Sequence, residues 1–302
     1  MTLTNAMQLL LGGIAMGAIY TLTAKGLFIA HLATHRLNFG QGDFLMVGAF
    51  VALGLLMAGW PAPLVLLAVL LVMGGLGWLL ERVAIRPLDR PAVQASGQAG
   101  GYAWVLTTAG VALIVQNVVE LLWGRSSQYS PPMFSSTRDN VIQVMGIGIF
   151  VEEAAVILLA FVVVAAFYWF LFRSQSGKAV YAVAFNQEAA ALLGIDVRRT
   201  VTLVFVLASL LAGVAGMLVG PLVSVNPRMG LVFSVKALAV ASVGGFSNPV
   251  GILAAGLLFG IGESFSNYWD SAFGDLYPLV AVLVLLAVKP AGLFGGPLSD
   301  VR

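Results

Sequence analysis

From Phe44 to Leu80 the chain carries no charged side chain, and the same is true from Thr200 to Pro227 and from Ala237 to Gly262. Apolar runs of this length have few places to go. A helix needs about 20 predominantly apolar residues to cross a bilayer, and in lipid every backbone N–H and C=O must be satisfied within the protein. Open strands are excluded on that ground, and the alternation of a β-barrel is absent. Composition agrees: 60% of the 302 residues are hydrophobic and 9% charged, against about 25% charged in a soluble domain. So few charges cannot cover a soluble surface of this size, and the apolar excess must face lipid. The chain reads as one all-α transmembrane domain, residues 1–302, built as a polytopic helix bundle.

Nine segments qualify as candidate spans, at about 8–33, 44–59, 61–80, 101–122, 150–172, 201–222, 231–245, 249–268 and 276–293. Basic residues orient them. Arg82, Arg86 and Arg90 share one connection, Arg173, Lys178, Arg198 and Arg199 another, and Lys289 and Arg302 the tail. The positive-inside rule places these regions in the cytoplasm and the loop around Asp270 and Asp275 outside. Eight or nine crossings follow, depending on whether both of the first two segments cross. The stretch Asn38-Phe39-Gly40-Gln41-Gly42-Asp43 is polar and glycine-rich between apolar runs, as in an interrupted helix. The N-terminus lacks the basic region of a cleavable signal, so the first apolar stretch is expected to be retained. Gly13-x-x-x-Gly17 and Gly256-x-x-x-Gly260 are small-residue seams, read as helix packing within one subunit rather than between subunits.

Several function classes fall away. A net charge of +2 with scattered Lys and Arg gives no basic face for nucleic acid. With zero Cys there is no thiolate metal site or cysteine nucleophile. No G-x-x-x-x-G-K-[S/T] sequence exists; Ser176-Gly177-Lys178-Ala179 lacks the first glycine and the hydroxyl residue. His31 and His35 sit four apart without a third ligand, which reads as an interfacial pair rather than a metal site. Glu152 and Glu153 are expected at the solvated outer end of a span. Lys25, Glu120, Lys236 and Glu263 lie in or near spans, where a central charge costs roughly 2.5–3.5 kcal/mol, so each should face protein or water. Lys236 and Glu263 are expected to pair across the last tight helix connection. Gln116 and Glu120 share a helix face, with Asn117 and Thr107 in the same span, and this face is the nominated pathway lining together with Asn38, Asp43, Lys236 and Glu263.

Residues 177–200, GKAVYAVAFNQEAAALLGIDVRRT, form the longest connection rich in signals. Asn186 can cap a helix, Glu188 complements its dipole, Ala189, Ala190 and Leu193 extend it, and Gly194 can end it in the left-handed conformation. A two-turn surface helix suits insertion into another protein's groove.

That stretch resembles the coupling region of ATP-binding-cassette import permeases of the branched-chain amino acid family. LNFGQGDFLMVGAF at 37–50, ERVAIRPLDR at 81–90, TTAGVALIVQN at 107–117, GPLVSVNPRMG at 220–230, KALAVASVGGFSNPVG at 236–251 and KPAGLFG at 289–295 are similar in order and spacing. Tyr181, where many relatives carry a basic residue, and Gln41 depart from the pattern. The resemblance implies a non-catalytic permease of the bacterial inner membrane, with a coupling region at about 173–200. It also implies a second permease subunit, two ATPases that bind the ATP and magnesium, and a periplasmic binding protein that delivers cargo. No cofactor is expected in this chain. The alternatives are a self-sufficient secondary transporter, against which the surface helix and the lack of a repeat speak, and a membrane enzyme, for which no catalytic constellation is present.

Overall fold

The computed structural model describes residues 3–89, 98–134, 140–144, 147–246 and 248–295; Arg90, Ser247, Arg302 and parts of the polar loop 123–147 lie outside the described residues. Helix occupies all nine apolar segments. The order begins α1 (Leu3–Thr34), α2 (Gln41–Met57), α3 (Ala62–Leu79), α4 (Gln98–Trp123) and α5 (Val151–Arg173). Two short helices follow, α6 (Gln175–Phe185) and α7 (Gln187–Leu192), and then α8 (Val197–Val219), α9 (Met229–Gly244), α10 (Pro249–Trp269) and α11 (Leu276–Val288). By length and composition α1, α3, α4, α5, α8 and α10 can each cross a membrane, whereas α2, α9 and α11 are shorter apolar helices of 17, 16 and 13 residues.

Local chemistry sets the ends. Asn248 accepts from Val250 N and Gly251 N, with Pro249 in the first turn of α10. Ser174 caps α6 through Gly177 N, and Asp196 caps α8 through Arg199 N. Two features differ from expectation. The last apolar segment stops being helical at Val288, where Lys289, Pro290 and Gly292 follow and Gly292 takes a positive φ. The polar loop contains a hairpin, β1 (Val141–Val144) against β2 (Ile147–Phe150), antiparallel with Val141 opposite Phe150. Strands this short leave no sequence pattern in a window dominated by helices.

The bundle holds several charged and polar side chains inside an apolar core and turns large apolar side chains outward. Lys25, Asn38, Gln41, Asp43, Glu81, Lys236 and Glu263 are all buried, while Leu71, Leu106, Leu121, Leu158 and Leu283 are exposed. An aqueous fold would reverse this distribution. It is the pattern of a protein whose outer solvent is lipid.

At the centre α1 packs along α10, α8 and α9. The two small-residue seams face each other: a Cβ on Gly17 would sit 2.6 Å from Gly256 O, and one on Gly13 would sit 2.7 Å from Ile261 Cα. Only hydrogen at those positions lets the α1 and α10 backbones approach so closely. The seam is therefore internal to this chain.

Candidate functional site

The chain breaks between α1 and α2, and the break lies deep in the bundle. At 1.5 Å per residue the 32-residue α1 is about 48 Å long, more than the ~30 Å hydrocarbon core. It ends at His35, which takes φ 54°. From there residues 36–40 run without helix, with a turn at Phe39 and Gly40, and Gln41, the first residue of α2, donates through Nε2 to Ala208 O at 2.9 Å. Ala208 is the midpoint of α8, so α2 begins at about the mid-depth of the bundle.

Broken backbone at this depth needs partners, and each comes from protein. Trp104 Nε1 donates to Leu37 O at 3.0 Å. Asn38 Oδ1 accepts from Gly40 N at 3.1 Å, and Asn38 Nδ2 donates to Gln41 Oε1 at 3.4 Å. Ser234 Oγ accepts from Gly42 N at 2.8 Å and donates to Phe39 O at 3.2 Å. The interrupted element read from residues 38–43 is thus present, with Gln41 as its main tie to α8.

Beside the break lies a cavity of about 390 Å³, lined by α1 (Leu27), the break (Asn38), α2 (Asp43), α4 (Val105, Gln116) and α9 (Ser234) among others. Three of the nominated pathway residues, Asn38, Asp43 and Gln116, meet here. The other five do not line it. Thr107 is half-buried on α4, and exposed Asn117 donates to its own Leu113 O at 2.8 Å. Glu120 is held at the end of α4 by Arg125 at 2.8 Å and Arg228 at 3.7 Å.

Lys236 and Glu263 form a separate cluster. Lys236 Nζ lies 3.1 Å from Glu263 Oε1 and 3.3 Å from Asp275 Oδ1. Tyr20 OH donates to Glu263 Oε1 at 2.8 Å and accepts from Lys236 Nζ at 3.3 Å. Lys25 is buried by other means: it donates to Pro249 O at 2.8 Å and Tyr168 OH at 3.1 Å, with Nζ 4.2 Å from the Tyr168 ring centroid. One expectation is overturned. Glu152 is not solvated; it is 5% exposed and accepts from Phe134 N at 2.8 Å, because the loop after α4 folds over the end of α5. His31 and His35 meet edge to face with centroids 6.2 Å apart; His31 packs on Phe246.

At the end of the bundle where α1 stops, α6 and α7 lie side by side. Asn186 Oδ1 accepts from Ala189 N at 2.9 Å. Gly194, at φ +83°, donates to Ala191 O while Ile195 N donates to Ala190 O, both at 3.0 Å. These are the two hydrogen bonds of a Schellman cap. Ala190 is buried against the chain itself, while Phe185, Leu192 and Leu193 are exposed at 92%, 90% and 81%. Both short helices are tied to the end of α1, since Gln187 Nε2 of α7 donates to Ala33 O at 3.2 Å and His35 Nε2 lies 3.1 Å from Ala184 O of α6. A stack of Tyr168, Phe172 and Tyr181 joins α5 to α6, and burial pushes the Tyr181 phenol above its usual pKa.

Sequence reasoning passed over Tyr20, Ser234 and Gln187. Each makes its hydrogen bond to a residue far off in the chain, Tyr20 to Glu263, Ser234 to Phe39 and Gln187 to Ala33, which no local pattern records.

Comparison with known proteins follows the same outline. A family described as "Branched-chain amino acid transport system / permease component" matches residues 9–289. The chain is 31% identical to the high-affinity branched-chain amino acid transport system permease protein BraD of Pseudomonas aeruginosa, over 96% of both chains. It is 27% identical to the permease protein LivH of the corresponding system of Salmonella typhimurium, also over 96% of both. A probable LivH permease of Methanocaldococcus jannaschii is 29% identical over 95% of this chain and 92% of that one. No solved structure matches the chain.

Proposed function

This chain belongs to the family of branched-chain amino acid transport permease components, and from that membership we propose that it is a permease subunit of an ATP-driven importer of branched-chain or related amino acids. It would reside as a multi-pass protein in the bacterial inner membrane. What carries the reading is the family match across residues 9–289, which takes in both the spans and α7.

In this reading the chain does no chemistry of its own. ATP and magnesium are bound by two partner ATPases, a second permease completes the pathway, and a periplasmic protein delivers cargo. α7, with Asn186, Glu188, Ala189, Leu193 and Gly194 exposed along it and at its ends, enters a groove on an ATPase, and exposed Leu192 and Leu193, with Phe185 at the end of α6, supply the apolar contact. Ala190 instead seats α7 on the bundle. Motion of α7 reaches the end of α1 through Gln187 and the Ala184 carbonyl, and from there passes along residues 36–40 to the cavity. Conformational change in such systems is carried by packed elements with two arrangements, not by continuous deformation.

The test is ATP hydrolysis by the assembled complex. Binding protein loaded with L-leucine should stimulate hydrolysis, and the isolated chain should show none. Magnesium-dependent nucleotide hydrolysis by the isolated chain would reject the assignment.

A further inference from the structure

Two polar side chains at the mid-depth cavity, Asp43 and Gln116, have no side-chain partner among the described residues. Asn38 and Ser234 are spent bracing the break. Asp43 is not: it is 8% exposed and forms no ion pair among the described residues. Its carboxylate lies in the first turn of α2 and takes a backbone hydrogen bond there but no cation, and a buried carboxylate without a cation is costly, so a cationic ligand would be held favourably. Gln116 also lines the cavity and makes no hydrogen bond to any described residue. The rest of the lining is apolar and, apart from Phe39, aliphatic, chiefly Leu27, Val105, Leu231, Val235 and Leu238. The volume of about 390 Å³ falls in the ~300–1,000 Å³ range of small-molecule sites.

We propose that this cavity is a transit site for an aliphatic amino-acid zwitterion, in which the Asp43 carboxylate takes the ammonium group and the Gln116 amide donates to the carboxylate. The aliphatic wall receives the side chain. The inference rests on the permease reading and adds to it the groups that meet the cargo. Leu113 of α4 and Leu231 of α9 line the cavity and are exposed at 60% and 70%, so the cavity wall reaches the surface of the chain there. Lys236 offers no competing anion site, because Glu263 and Asp275 already hold its charge. A transit site must also release its ligand, and one carboxylate with one amide is a modest set of polar contacts for that purpose.

The chain contains no cysteine, so Ala112→Cys places a single thiol of this subunit on the cavity wall. In membranes holding the whole transporter, this thiol is treated with the cationic reagent 2-aminoethyl methanethiosulfonate and the anionic 2-sulfonatoethyl analogue, and modification is read by mass spectrometry. After correction for their rates with a free thiol, the cation should react about tenfold faster, L-leucine should slow both, and Asp43→Asn should erase the preference. The charge preference and the leucine protection are read with Asp43 intact, so they decide even if Asp43→Asn fails to insert. Equal corrected rates, or a preference that survives Asp43→Asn, would overturn the proposal. Uptake of L-leucine separates the two levels. Asp43→Asn and Gln116→Leu should each lower uptake about tenfold or more, with Asp43→Glu recovering part of it. Wild-type uptake that neither variant alters would remove the transit site alone. No wild-type uptake, with the labelling preference intact, would remove the permease reading alone.

Discussion

The ammonium of Lys236 is shared between Glu263 and Asp275, with the Tyr20 hydroxyl against both Lys236 and Glu263. Both Lys236 and Glu263 are buried, so Lys236→Met leaves Glu263 without a cation, which costs roughly 3–5 kcal/mol, and Glu263→Gln leaves Lys236 only the exposed Asp275, whereas removing both leaves neither charge behind. Lys236→Met and Glu263→Gln should each lower thermal stability in detergent more than the double variant does, so that the coupling exceeds the larger of the two single losses. Additive losses would mean that the residues act independently. Asp275 is 62% exposed, so Asp275→Asn should cost less than Glu263→Gln; solvent screens its share. The pair was legible from the sequence because a tight turn fixes which residues of two antiparallel helices face each other. Tyr20 was not, since α1 is distant in sequence and only tertiary packing brings it near.

Among the elements, α7 shows how far local signals reach. Asn186 as cap, Glu188 in the first turn and Gly194 as left-handed terminator all act within one short stretch, and each takes the place its chemistry dictates. What the stretch did not reveal is which side of α7 faces its own chain: Ala190 is buried and the leucines are exposed, the reverse of what hydrophobicity suggests. The proposed coupling role accounts for this, since apolar residues that enter a partner's groove stand exposed on the chain alone. Gly194→Val should cost roughly 1–2 kcal/mol locally, and Glu188→Lys places the wrong charge at a helix start. Both variants should insert normally yet lose substrate-stimulated ATP hydrolysis; full stimulation in both would show that α7 is not the coupling element. The seam between α1 and α10 makes a contrasting case. Gly17→Val should lower the detergent melting temperature markedly and reduce membrane levels, since its side chain would overlap the Gly256 carbonyl; an unchanged melting curve would contradict the close packing. The β1–β2 hairpin and the burial of Glu152 escaped notice because both depend on how the loop after α4 folds back, which no periodicity records.

At the scale of the molecule, α1 connects the parts. It packs through the glycine seam on α10, contributes Tyr20 to the Lys236 cluster, lines the cavity with Leu27, and ends against α6 and α7. A long helix with its far end tied to α7 and its flank on the cavity can pass a push from one to the other without any covalent chemistry in this chain. The account therefore requires that transport draw its energy from ATP hydrolysed elsewhere in the complex. The most direct measurement is uptake of labelled L-leucine by proteoliposomes containing this chain, its partner permease, both ATPases and the binding protein, with ATP supplied to the ATPase side and no ion gradient. The account predicts uptake that stops when ATP, the binding protein or either ATPase is withheld. Uptake by this chain alone, driven by a proton or sodium gradient without ATP, would contradict it.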